Sequence, residues 1–293
     1  MIDVREFDRI IVDAYGVFYF GKGVSGAVLE TFKDWIRQGK EVYVLSNATY
    51  VNEKTIDAYA KKGVIKGVHY TDILTSGQFT YEDVKKGNLA VCGRKFYVFG
   101  TANFKSDNPV PTVFSNSSYE LVEDVKDADF VYCGVPQLVG KDGVKYDSEE
   151  IEDFILEVRK LVKRGIPLVC ANPDKVANEG GRFVVRQGMI ADVWEEEGGE
   201  VIMYGKPDVR IFEALIERYC PEVERKKILM IGDTLRTDIK GAKLAGINGA
   251  LVLEGGVSEY EMKKLGLSLE EYILREGVEP DFVYDRVSKD LLF

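Results

Sequence analysis

Five side chains in this sequence stand where they could do chemistry together: Asp13, Ser46, Lys206, Asp233 and Asp238. Asp13 closes the apolar run Ile10-Ile11-Val12, and Ser46 closes Val42-Tyr43-Val44-Leu45. Asp233 follows Ile228-Leu229-Met230-Ile231-Gly232, and Lys206 follows Val201-Ile202-Met203-Tyr204-Gly205. A carboxylate presented at the carboxyl edge of a parallel sheet can act as a nucleophile or bind a cation. With Asp233 and Asp238 it can hold Mg²⁺ through oxygen ligands alone, leaving room for water and a phosphate oxygen. A lysine and a hydroxyl can neutralise and orient the other phosphate oxygens. The combination suits phosphate chemistry. Taken singly, Ser46 reads as a helix cap and Lys206 as a solvated side chain.

The elements that must position these groups alternate between strand and helix patterns, the signature of a parallel sheet wrapped by helices. A helix is expected over residues 27–36, a strand at Glu41–Leu45, a helix over 52–62, and a helix start at Thr75-Ser76-Gly77. After the strand that ends at Asp233, a helix is expected from about Thr237 to Ala245, then strands at Ala250–Leu253 and Asp281–Tyr284. The intervening stretch has strands of its own at Lys95–Phe99, Phe130–Cys133 and Pro167–Cys170. Between Glu150 and Lys163, Ile151, Phe154, Ile155, Val158, Leu161 and Val162 share one helical face and read as core. The expected organisation is a core of 1–86 plus 200–293, with 87–199 inserted as a second α/β domain. After Gly256 the helical spacing at Tyr260, Met262, Leu265, Leu267 and Ile273 is expected to pack on the flank of the core.

Composition narrows the function. The net charge is −10 with no basic block, which argues against nucleic acid or an anionic membrane as partner. No apolar run approaches the length of a membrane span, and the charged start Met1–Asp8 does not read as a signal peptide. The four cysteines, Cys92, Cys133, Cys170 and Cys220, are scattered without C-x-x-C spacing, as expected of reduced thiols in a cytoplasmic protein. His69 stands alone, which excludes multi-histidine metal sites and disfavours a Ser-His-Asp triad. The chemistry therefore rests on carboxylates, lysine and hydroxyls.

The ordered motifs Asp13-Ala14-Tyr15-Gly16-Val17, Leu45-Ser46-Asn47, Gly205-Lys206-Pro207 and Gly232-Asp233 with Thr237-Asp238 resemble those of haloacid dehalogenase-like hydrolases. With Ala171-Asn172-Pro173-Asp174, the chain is most similar to the class IIA, NagD-like phosphatases. The resemblance implies a Rossmann-like core with an inserted α/β cap, and hydrolysis of a small phosphorylated metabolite with Mg²⁺ as cofactor. It implies Asp13 as the nucleophile that accepts the phosphoryl group. The metal would be held by Asp13, the backbone carbonyl of Tyr15 and Asp233, with Asp238 orienting metal-bound water or Lys206. Ser46 and Asn47 would bind the phosphate, Lys206 would bridge it to Asp13, and the cap would form a homodimer interface. Asn172 and Asp174 would either shape their loop or meet the substrate. Arg182 and Arg186, beside Gly180-Gly181, would be anion contacts or ordinary surface residues.

Tyr15 departs from the pattern. Phosphatases of the family usually carry there an Asp that protonates the leaving oxygen and then activates water. A phenol, with a reference pKa of about 10, donates a proton but is a poor base near neutrality. Loss of such help typically costs roughly 10²–10⁴ in rate. Three functions stay open on the sequence: a Mg²⁺-dependent phosphatase, a dehalogenase-like hydrolase (the haloacid dehalogenases resemble D-x-Y-G-T at this motif), and a phosphate-ligand-binding protein with little turnover.

Overall fold

The structure is a computed structural model that describes residues 4–20, 23–103 and 108–287. The start of the charged segment, residues 1–3, and short stretches of both expected domains, 104–107 and 288–293, lie outside these.

Six strands form the first sheet in the spatial order Phe282–Tyr284, Asn248–Val252, Ile228–Gly232, Arg9–Val12, Glu41–Ser46, Asp72–Thr75. All neighbours are parallel, with Val12 level with Val44 on one side and Ile231 on the other. Both faces are covered. Ile10, Val12, Val42, Val44, Leu229 and Ile231 pack with Phe32 and Trp35 of the helix Gly26–Arg37. The alternate residues Ile11, Tyr43, Leu45 and Met230 pack with Phe212, Leu215 and Ile216 of the helix Val209–Tyr219. Burial on both faces is why these strands read as unbroken apolar runs. Each fully buried large side chain contributes roughly 1.5–3 kcal/mol, so the central strands form a rigid platform.

The second sheet has five parallel strands in the order Val201–Met203, Leu168–Cys170, Phe130–Cys133, Lys95–Phe99, Glu120–Leu121. The helices Glu152–Val162 and Gln187–Glu196 pack on it through Phe154, Val158, Leu161, Ile190 and Trp194. The chain enters this sheet after the helix Ser76–Lys86, whose N-cap Thr75 accepts from the Gln78 amide. Two antiparallel hairpins complete the region, Gln137–Val139 with Lys145–Asp147 and Val176–Glu179 with Arg182–Val185. The second turns through Gly180 and Gly181, both at positive φ, as a two-residue hairpin turn requires.

Val201–Met203 pairs with Leu168–Cys170, so the chain leaves the second sheet after Met203. Two expectations are revised. The helix expected from Thr237 begins as a wide turn, Leu235–Ile239, and becomes an α-helix only over Lys240–Leu244. The helix expected over 52–62 stops at Ala60, ahead of the Gly63 turn. The segment after Gly256 does pack on the flank of the first sheet, as the helices Val257–Leu265 and Leu269–Glu276, with Tyr272 buried among Leu235, Ile239 and Leu251.

Candidate active site

Asp13, Ser46 and Asp233 come from three neighbouring strands of the first sheet, and parallel pairing places all three at its carboxyl edge. Lys206 arrives by another route. It follows the last strand of the second sheet through Gly205, whose φ of +106° places it in a region favouring glycine. Side-chain space is lacking there as well, since a Cβ on Gly205 would lie 2.7 Å from Asn47 Oδ1. Asn47 Oδ1 accepts from the Lys206 amide at 2.8 Å, and Asn47 Nδ2 donates to the Lys206 carbonyl at 3.3 Å. The first sheet thus grips the segment that brings the lysine.

The Lys206 ammonium, 1 % exposed, lies 2.7 Å from Asp13 Oδ1 and 2.7 Å from Asp238 Oδ1. Burial alone would lower its pKa, but Asp13, Asp238 and Asp174 together raise it well above the ordinary lysine value. Asp233 Oδ2 accepts from the Val257 amide at 2.6 Å, at the start of the helix Val257–Leu265, and its Oδ1 accepts from the Thr234 hydroxyl at 3.1 Å. Asp238 Oδ2 accepts from the Thr234 amide at 3.1 Å. Asp174 Oδ1 accepts from Asn47 Nδ2 at 2.8 Å.

The cluster carries more negative charge than one lysine balances. Burial, reinforced by Asp238 and Asp174 and opposed by Lys206, pushes the Asp13 carboxyl up to about 7. Burial, then Asp238 and Asp13, raises Asp233 well above the carboxylate range. Ligand oxygens of Asp13, Asp233 and Asp238 lie within 4.8 Å of one another, an all-oxygen set that fits a hard divalent cation. Gly16 lets the chain pass close by, since a Cβ there would lie 2.2 Å from Asp233 Oδ2.

A cavity of about 310 Å³ opens over Asp13, lined from one side by Tyr15, Ser46, Asn47 and Asp233 and from the other by Asn172, Asp174, Glu179 and Arg186. Apart from Arg182, every side chain singled out from the sequence as binding or catalytic lies at this cavity or bonds directly to a group there. Asn172 is engaged locally, with Oδ1 accepting from the Asp174 amide at 2.9 Å and Nδ2 donating to Gln187 at 3.0 Å. Arg186 is no surface arginine: it is 5 % exposed and ion-paired, whereas Arg182 is exposed and meets only Glu149. The Tyr15 ring packs edge-on against Tyr19, at 4.7 Å between centroids. Burial, with the nearby charge of Glu179, raises the phenol far above its ordinary pKa, so it stays a neutral donor.

Sequence reasoning missed Val257, Thr234, Arg236 and Glu179. Val257 and Thr234 act through backbone amides that no side-chain pattern reveals. Arg236 lies between the two quoted halves Gly232-Asp233 and Thr237-Asp238, and its partner Glu261 lies one helical turn beyond Val257.

A carboxylate and lysine pair at the edge of a Rossmann-like sheet, roofed by a second α/β layer, defines the architecture of a capped α/β hydrolase. Residues 10–108 match the family model for haloacid dehalogenase-like hydrolases, and residues 203–289 match a second described as HAD-hydrolase-like. The chain belongs to the haloacid dehalogenase-like hydrolases. It is 23% identical to the 4-nitrophenylphosphatase of Schizosaccharomyces pombe, over 98% of this chain and 94% of that one. A haloacid dehalogenase-like hydrolase from Brucella suis has the same fold, with a TM-score of 0.78 at 23% identity over 97% of both chains. NagD of Escherichia coli aligns with a TM-score of 0.62 at 20% identity, over 97% of this chain and 98% of that one.

Proposed function

We propose that this hydrolase is a Mg²⁺-dependent phosphatase of a small phosphorylated metabolite, working through an aspartyl-phosphate on Asp13. The observation that carries the reading is the buried chain Asp13–Lys206–Asp238 beneath the cavity, with Asp233 alongside. The division into a core that does chemistry and a cap that selects substrate is part of the same proposal. The likeness to a 4-nitrophenylphosphatase supports it.

In this reading Asp13 Oδ attacks phosphorus, the new Asp13–phosphate bond forms, and the bond to the ester oxygen breaks. Lys206 holds Asp13 in place and offsets the repulsion between carboxylate and phosphate. Ser46 sits at the strand end where its hydroxyl would bind a phosphate oxygen, while the Asn47 side chain, expected to do the same, is already engaged with Lys206 and Asp174 and serves to hold the lysine. Asp13, the Tyr15 carbonyl, Asp233 and Asp238 would hold the Mg²⁺, which supplies charge neutralisation at the phosphoryl oxygens when bound. Tyr15 donates a hydrogen bond at the leaving oxygen. Its raised pKa bars it from acting as a base, which makes hydrolysis of the aspartyl-phosphate the slow step.

The test is an assay of p-nitrophenyl phosphate and a panel of phosphate monoesters with Mg²⁺ or with chelator, run beside 2-haloacids. Mg²⁺-dependent phosphate release, with a burst of p-nitrophenol matching the enzyme concentration, is the expected result. Tyr15→Asp is expected to speed the phase after the burst by roughly 10²-fold or more. Metal-independent halide release would replace this reading with the dehalogenase one, which the D-x-Y-G pattern at Asp13 favours. Binding of phosphate without turnover of any ester would leave a binding protein.

A further inference from the structure

The cations that line the cavity have their charges already balanced, on the wall opposite Asp13 and beside Asp233 alike. Arg186 Nη2 lies 3.0 Å from Glu179 Oε1, and its Nη1 lies 3.2 Å from Asp147 Oδ1. Lys175 is paired with Asp192. Arg236 forms two bonds of 2.6 Å to Glu261, with Glu276 at 3.5 Å. Arg186, Lys175 and Arg236 are the cations among the described residues that line the cavity, and each already faces a carboxylate. Glu179 and Asp192 themselves line it, in addition to the carboxylates around Asp13.

Resting on the phosphatase reading, we infer that the group esterified to the phosphate is uncharged and hydroxyl-bearing, a polyol or sugar moiety, and that esters carrying a second anion are selected against.

The physical argument is one of spare partners. A second carboxylate or phosphate would enter beside Glu179 and Asp192 and meet no cation that lacks a carboxylate. It would have to break an existing ion pair or be left desolvated against like charge, and both are costly in a cleft. A hydroxyl meets the opposite situation, because carboxylate oxygens accept from it without losing their cation. Two ring surfaces add apolar faces for the carbon skeleton: Tyr15, and Phe183, which is stacked on Tyr260 at 3.9 Å with 9° between planes. At about 310 Å³ the space suits a small ester, at the lower end of the usual range for ligand pockets.

The test uses a matched pair as competitors of p-nitrophenyl phosphate turnover by the Mg²⁺-loaded full chain. sn-Glycerol 3-phosphate and L-3-phosphoglycerate are alike, C2 configuration included, except that a hydroxymethyl group in the first is a carboxylate in the second. Glycerol 3-phosphate is expected to inhibit at a concentration about tenfold lower or less, the discrimination a single unpaired buried charge supplies. Removing one carboxylate from a pair, by Glu179→Gln or Asp192→Asn, is expected to shift that ratio toward phosphoglycerate by about fivefold. Asp192 is partly exposed, so its variant tests the idea even if Glu179→Gln fails to fold. Equal or tighter inhibition by phosphoglycerate in the wild type overturns the inference while leaving the phosphatase standing. So does a ratio that neither variant moves. Absence of p-nitrophenyl phosphate turnover removes the phosphatase reading itself, and this inference with it.

Discussion

Two charged regions face each other across the cavity, and they are built on opposite terms. At the sheet edge, Asp13, Asp233 and Asp238 crowd beside one ammonium, with Lys206 and Asp238 at 1 % and 0 % exposure, and Asp174 adds its charge from across the cavity. On the opposite wall each cation has its own carboxylate, and Lys175 and Asp192 are about one-third exposed. A buried excess of negative charge is costly to maintain and is relieved by whatever brings positive charge. A balanced, partly wet wall costs little and gains little from another ion. The sheet edge is therefore suited to holding a cation and a reacting phosphate, and the wall to sorting what is attached to it.

The comparison breaks first, and hardest, at Asp13. Asp13→Asn keeps the shape but removes the proposed nucleophile, and on that proposal phosphate release is expected to fall by roughly 10⁴-fold or more, as when other catalytic nucleophiles are removed. Arg182→Ala on the opposite side is expected to leave the same assay unchanged, because Arg182 is exposed and paired only with Glu149.

Stability sharpens the contrast. Lys206→Ala strands buried carboxylates and is expected to cost about 3–5 kcal/mol in urea unfolding of the metal-free protein at neutral pH. Lys175→Ala, at a screened pair, is expected to cost under about 1 kcal/mol. Similar costs for the two lysines would mean that burial does not separate the regions.

The smallest effect lies away from both. His69 accepts from the Ile65 amide through Nδ1 at 2.8 Å, and burial lowers its pKa below the ordinary value. The unfolded chain then binds the proton more readily, so His69 adds stability above about pH 6.5 that is lost as pH falls through the lower folded value. His69→Asn should flatten that part of the profile in urea midpoints measured between pH 5 and 8. A slope of the opposite sign would show that the imidazole is charged in the fold.

Much of the site was legible because parallel strands share one edge. Once Ile10–Val12, Val42–Leu45 and Ile228–Ile231 read as strands, Asp13, Ser46 and Asp233 had to emerge side by side. The doubt over Arg186 was not resolvable that way. Its sequence neighbours Gly180-Gly181 mark a hairpin turn, but its burial depends on Asp147, from a different hairpin. That Val201–Met203 joins the second sheet was not legible either, because an apolar run reads as a strand without saying which sheet it joins.

By itself the sequence determined the α/β alternation, the carboxylates at the strand ends and the phenol of Tyr15 two residues after Asp13, since all are properties of local pattern and residue type. Tertiary structure alone decided that Lys206 reaches Asp13 from the second sheet, held by Asn47, and that a backbone amide at Val257 grips Asp233. It also decided that each cation lining the cavity, among the described residues, already has a carboxylate partner. These depend on which groups meet across the cleft and on how little water remains between them, and neither is written in the order of residues along one strand.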